Sequence, residues 1–248
     1  GDARSPGRAR RHPLTPVPRA RVSGNLLCPV ESRTRVRYHA AMELAAELPG
    51  GLSALAERVA PLALAGDRTL PVSEAFADLF PERGLVRGRT LACSGPAATS
   101  LALALAAPAV VAGSWLATID VPTIGLDAAS EFGIALERVV AVRAEVTRWP
   151  DVVAAAADGF DILIARVPAD ASSSAMRKVA TRLRQRDVVM LVLGDPGPLS
   201  CDGVLTADGA EWIGLGDGYG HLQHRRLVVE ASGRRLHGRR RCRVALPG

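Results

Sequence analysis

The chain has 248 residues, of which 48% are hydrophobic and 23% charged, the composition of a globular protein with room for one large domain or a domain with extensions. Aromatic residues make up only 4%, so the core is expected to be built of Ala, Val and Leu, and no run of about 18 uncharged apolar residues offers a membrane span. The net charge of +6 is unevenly spread: residues 1–40 carry nine Arg against Asp2 and Glu31, residues 221–248 carry eight Arg against Glu230, and the stretch between them is acidic by −8. Two basic ends on an acidic body point to nucleic acid or an acidic protein surface as partner.

The N-terminus is basic but lacks an apolar h-region, which argues against a secretory signal. Cys28, Cys93, Cys201 and Cys242 are scattered without a CxxC pair. That spacing argues against a disulfide framework or a zinc site and suits a reducing, cytoplasmic setting. The histidines His39, His221, His224 and His237 show no metal-ligand spacing with acidic partners, so no metal is expected. Lys178 is the only lysine.

Residues 1–37, rich in Arg and Pro, read as a disordered basic tail that cannot bury enough apolar surface to offset its ordering entropy. Residues 38–66 read as two helical pieces split by Pro49-Gly50-Gly51, the second with a stripe of Leu52, Leu55, Ala56 and Val59 at helical spacing. From 67 to 248 the pattern is α/β: a mainly parallel sheet flanked by helices, followed by C-terminal antiparallel strands. A short helix is expected over 70–80, a turn over 84–88 and a strand over 89–94. A helix then covers 99–107, with a strand at 115–121, a helix at 126–132 and a strand at 138–142. Pro150 opens a helix at 150–157; a strand at 160–167, a helix at 171–186 with an N-cap among Ser172–Ser174, and a strand at 188–193 complete the alternation. DILIARV and VVMLVLG are apolar throughout, as strands buried on both faces are. After Asp195-Pro196-Gly197-Pro198, segments 203–215, 224–231 and 239–246 read as antiparallel strands joined by glycine turns. The run GLGDGYG, Gly214 to Gly220, lies between two strands and is expected to be a hairpin loop rather than a dinucleotide fingerprint.

The stretch LACSGPAATSLALAL, Leu91 to Leu105, has the layout of a phosphate-binding loop: strand, glycine turn, helix. A working loop reads GxxxxGK[ST], with backbone N–H groups around the phosphates, Lys on their charge and Ser/Thr on Mg²⁺. Counted from Gly95, the second Gly is Ser100, the Lys is Leu101 and the Ser/Thr is Ala102. Aligning Thr99-Ser100 with the hydroxyl pair instead leaves the loop about three residues short. Gly95, Pro96, Thr99 and Ser100 are what remains of the loop. A helix N-terminus alone contributes only ~0.3–1 kcal/mol toward an anion, too little for tight ATP binding, and Thr99-Ser100 are then expected to cap the helix.

LPVSEAFADLFPERGLVRGRTLACSGP resembles the lead-in to the ATPase core of the RecA superfamily. The resemblance continues through SWLATIDV, EFGIALERVVAVRA, WPDVVAAAADGFDILIARV and RQRDVVMLVLG, about residues 70–195. It implies that Pro122, after Asp120-Val121, stands where RecA-like ATPases carry the water-activating Glu, and that Ala165-Arg166 replace the Mg²⁺-supporting Asp. A RecA-like fold without catalytic residues, nucleotide cofactor or metal is expected. Within that superfamily the sequence resembles the ImuA-prime type of accessory protein in the degenerate loop, RWPDVVAAAADGFD, the stretch from Trp212 to Leu222 and the Arg-rich ending with LPG. That resemblance implies a non-catalytic adaptor in error-prone translesion synthesis within the SOS response. It implies an ImuB-type polymerase homologue as partner, with DNA as a further contact, in a nucleoid-associated cytoplasmic setting. The division inhibitor SulA, also RecA-like without an active loop, and an ATPase with a rearranged loop are the alternatives. Arg225, Arg226, Arg234, Arg235, Arg239, Arg240, Arg241 and Arg243 are the candidate DNA or partner contacts, expected to flank a hairpin and form a basic face.

Overall fold

The computed structural model describes residues 68–216 and 219–247, so the expectations for the 1–37 tail and the 38–66 helices lie outside the described residues. The strands are β1 (Thr69–Pro71), β2 (Gly84–Val86), β3 (Thr90–Ser94), β4 (Leu116–Ile119), β5 (Val139–Val142), β6 (Ile162–Ala165), β7 (Val189–Leu193), β8 (Gly203–Gly216), β9 (Tyr219–Ser232) and β10 (Arg240–Pro247). The helices are α1 (Glu74–Ala77), α2 (Ala98–Val111), α3 (Leu126–Glu131), α4 (Trp149–Ala156) and α5 (Ser173–Gln185). Eight strands form one sheet in the order β10-β9-β8-β3-β7-β6-β4-β5. Its pairs are parallel from β5 through β8 and antiparallel from β8 through β10.

The period-two alternation of the strands separates two cores. Ile162 and Ile164 of β6 face one side with Val189, Leu191 and Leu193 of β7, against Leu101, Leu103 and Leu105 of α2 and Phe76 of α1. Leu163, Ala165, Met190 and Val192 face the other, against Trp149 and Val153 of α4 and Met176, Val179 and Leu183 of α5. The first core continues under the antiparallel strands through Leu205, Leu227, Val229, Val244 and Leu246. Ala102, Ala106 and Ala109 are as buried as the leucines of α2, so this helix is apolar all round, the pattern of an interior helix.

A buried ion pair ties the base of the sheet. Asp161, 3% exposed, accepts from the Arg87 guanidinium at 2.8 Å and from the Trp115 backbone N–H at 3.0 Å. It thereby joins the β2–β3 turn to the entries of β4 and β6.

Several expectations hold closely. Ser172 is the N-cap of α5, its Oγ accepting from Ala175 N at 3.2 Å, and Pro150 stands in the first turn of α4. Leu215 pairs with Gly220 and Gly216 with Tyr219, so the described residues of GLGDGYG are the ends of the antiparallel strands β8 and β9 rather than a glycine turn before a helix. Three expectations need correction. The stretch 70–80 is only partly helical, and the expected turn at 84–88 contains a strand, because Thr69–Pro71 pairs antiparallel with Gly84–Val86 around the one-turn α1. The helix expected over 99–107 runs through Pro108 to Val111. Proline removes one backbone bond there, but the helix is held by apolar burial along most of its length.

Candidate functional site

In an open parallel sheet, ligands bind beyond the carboxyl ends of the strands. Here that end is closed at β3. Gly95 follows the strand at φ +89°, and a Cβ on it would lie 2.2 Å from the Ala207 carbonyl oxygen and 3.1 Å from its carbon. The strand neighbour β8 therefore presses on the turn where a phosphate-binding backbone would open. Ser94 Oγ is engaged sideways, with Thr206 Oγ1 at 3.0 Å and Leu205 O at 3.4 Å. Gly95→Ala is expected to cost about 3 kcal/mol, from the left-handed backbone and the overpacking against Ala207. Urea unfolding measures this; a loss within 0.5 kcal/mol would mean that β8 yields easily.

The helix start corrects a further expectation. Ala97 is the N-cap of α2 and makes no side-chain cap bond; Thr99 and Ser100 lie inside the first turn and do not cap. Ser100 Oγ instead accepts from Nη2 of Arg225, a residue of β9. The Arg225 guanidinium carbon sits 5.2 Å from the centroid of the Trp212 ring, a cation–π distance, and its Nε is buried with no partner among the described residues. Burial lowers the pKa of this guanidinium, yet arginine remains a cation throughout the accessible pH range. The protein's own cation thus stands at the first turn of α2.

Of the remaining positions of the resemblance, those within α2 are sealed, while Pro122 and Arg166 face solvent. Leu101, in the Lys position, and Ala102, in the Ser/Thr position, are both 0% exposed. Pro122 is exposed beyond the end of β4. The nearby carboxylate of Asp120, at φ +53°, accepts from Ala144 N at 2.9 Å and so fastens β4 to the segment after β5. Ala165 is buried and Arg166 exposed at the end of β6. Burial raises the thiols of Cys93 to about 12 and of Cys201 and Cys242 to about 11, so none is a nucleophilic thiolate at neutral pH.

The C-terminal arginines do not make one face, because strand alternation and the hairpin turn divide them. Arg225 points inward to Ser100. Arg226, Arg241 and Arg243 lie on the outward face of β9 and β10, with Arg241 opposite Glu230 and Arg226 at 3.7 Å from Glu211. Arg234, Arg235 and Arg239 belong to the β9–β10 turn region, where Arg235 pairs with Asp202 at 3.0 Å and Arg239 with Glu230 at 2.9 Å. Arg240 donates to the Asp78 carbonyl at 3.0 Å. The pairing at this site that sequence reading missed is Arg225 with Trp212. Their spacing in the chain carries no local signal, and only the register that sets Trp212 opposite Arg225 brings them together.

The fold defines a class. The chain resembles the solved structure titled "Crystal structure of the RadB recombinase" with a TM-score of 0.50 at 13% identity, covering 65% of this chain and 88% of that one. This is a RecA-like α/β fold. Residues 78–198, just under half of the chain, match the family model described as the MT3502 N-terminal domain; that match stops before β8. No curated protein matches the sequence.

Proposed function

We propose that this chain is a non-catalytic RecA-fold adaptor that acts in error-prone translesion DNA synthesis during the SOS response, binding an ImuB-type polymerase homologue and DNA. The observation that carries the non-catalytic half is Leu101: it is wholly buried at the position where a phosphate loop needs an exposed lysine. The Arg225–Ser100 bond supports the same reading, since it engages a hydroxyl in the first turn of α2 with the protein's own cation. The catalytic Glu and Mg²⁺-supporting Asp positions, at Pro122 and Ala165-Arg166, supply neither a base nor a metal ligand, so phosphoryl transfer has no stabilised charge to draw on. The translesion half rests on the resemblance to the ImuA-prime type; the basic strands β9 and β10 agree with an anionic partner.

Two measurements test the two halves separately. Calorimetry with ATP and Mg²⁺ is expected to be silent up to millimolar nucleotide; heat of binding would overturn the non-catalytic half. Co-purification from damage-induced cells is expected to retain an ImuB-type protein; a clean preparation with no polymerase-like partner would overturn the adaptor half.

A further inference from the structure

The amino ends of β3, β7 and β8, at the other end of the sheet from Gly95, surround a cavity of about 730 Å³ lined by Arg68, Arg87, Arg89, Arg184 and Arg235. These five guanidiniums come from widely separated parts of the chain: the start of β1, the β2–β3 turn, the last turn of α5 and the β9–β10 turn. Only Arg235 belongs to the basic C-terminal stretch. Val86, Thr69 and Gly88 are the uncharged parts of the lining, and Glu82, Asp187 and Asp202 are its carboxylates. A wall so dominated by charged side chains does not suit a hydrophobic ligand.

The internal pairing leaves a defined remainder. Arg89 is held by Glu82, at 2.5 and 3.2 Å, and also donates to the Arg235 carbonyl at 3.4 Å. Burial pushes the Glu82 carboxyl up, but the hydrogen bond and charge of Arg89, with the nearby His237, outweigh it and hold it below the usual range. Arg235 is held by Asp202, whose second oxygen accepts from Thr90 N at 3.0 Å. Arg87 spends Nη1 on Asp161 and keeps its other donors. Arg68 and Arg184 have no carboxylate within ion-pair distance among the described residues. Three guanidiniums are therefore fixed in place before any ligand arrives; among the described residues, Arg184 has only a 3.4 Å bond to Thr181 Oγ1 and Arg68 has no carboxylate partner.

We propose that this cavity binds a phosphate group. Guanidinium forks match phosphate oxygens in pairs, and Arg68 and Arg184 answer its double charge. The five guanidiniums outnumber Glu82, Asp187, Asp202 and the Asp161 behind Arg87, so the net potential favours a doubly charged anion over a single carboxylate. The phosphate belongs either to a nucleic-acid backbone or to a small phosphorylated molecule. The inference is independent of the adaptor reading.

The test uses the full chain with inorganic phosphate, compared with chloride at matched ionic strength, and separately with a single-stranded oligodeoxynucleotide followed by anisotropy. The variant is Arg68→Gln/Arg184→Gln, which breaks none of the described ion pairs; Arg177→Gln/Lys178→Gln on the exposed face of α5 is the control. Phosphate is expected to raise the thermal midpoint of the parent and the control but not of Arg68→Gln/Arg184→Gln. If the phosphate is a nucleic-acid one, oligonucleotide affinity also falls about tenfold in that variant, the loss of one or two charge-assisted bonds. If the source is a small molecule, oligonucleotide binding is unchanged while the phosphate response is lost. The absence of a phosphate-specific rise in the parent, or a rise that survives in Arg68→Gln/Arg184→Gln, overturns the proposal.

Discussion

Leu101→Lys, the substitution that restores the phosphate-loop lysine, is expected to unfold the protein rather than to recruit ATP. Leu101 is 0% exposed and faces the core shared by α1, α2 and the sheet. An ammonium withdrawn from water there costs on the order of 5 kcal/mol, and the lost leucine packing adds to it. Domains of this kind are stable by only about 5–15 kcal/mol, so the substitution consumes much or all of the margin. Circular dichroism with urea titration reads the loss, and ATP with Mg²⁺ is expected to leave the midpoint unmoved. A folded Leu101→Lys protein that ATP stabilises would show that α2 can turn this position outward, and would remove the main support for a non-nucleotide role.

The second large effect is expected at the opposite end of the sheet. Asp161→Ala removes the acceptor for Arg87 and for the Trp115 backbone N–H together. Breaking a buried pair from one side costs about 3–5 kcal/mol. Arg87 keeps 21% of its side-chain surface in water, so the lower end, about 3 kcal/mol, applies. In a domain of this size that lowers the thermal midpoint by about 6–12 °C. The double substitution Arg87→Met/Asp161→Leu is expected to recover a large part of the loss, since it leaves no unpaired charge behind. A single Asp161→Ala loss below about 1 kcal/mol would mean that Arg87 swings back into solvent and that the pair behaves as a surface one.

The parts of this fold that are legible in the sequence are those governed by local pattern. DILIARV and VVMLVLG became β6 and β7 because uninterrupted apolar runs between helices have both faces to bury. Ser172 and Pro150 declared helix starts through their own chemistry. The β1–β2 hairpin stayed hidden because three-residue strands carry no period, and the proline-bounded stretch between them, with Phe76, Leu79 and Phe80 at helical spacing, reads as a helix. Continuation of α2 through Pro108 was hidden for the opposite reason: a local breaking signal was overridden by tertiary burial. The lysine-free loop was legible as a loss; its physical state was not. That Leu101 is sealed, that Gly95 serves contact with Ala207, and that Arg225 reaches Ser100 from 125 residues away are long-range facts. So is the cavity of five arginines, whose members share no spacing in the chain.

The position of β3 has a consequence for how the molecule is made. It pairs on one side with β7 and on the other with β8, so its second neighbour is not available until more than a hundred further residues have been synthesised. Such distant pairing slows folding, and until β8 arrives the β3 edge, with Leu91, Ala92 and Cys93 beside it, is an open template for another chain. A fragment ending near residue 198, where the family match stops, keeps that edge permanently exposed. It is expected to aggregate during expression, whereas fragments retaining β8 to β10 stay in solution.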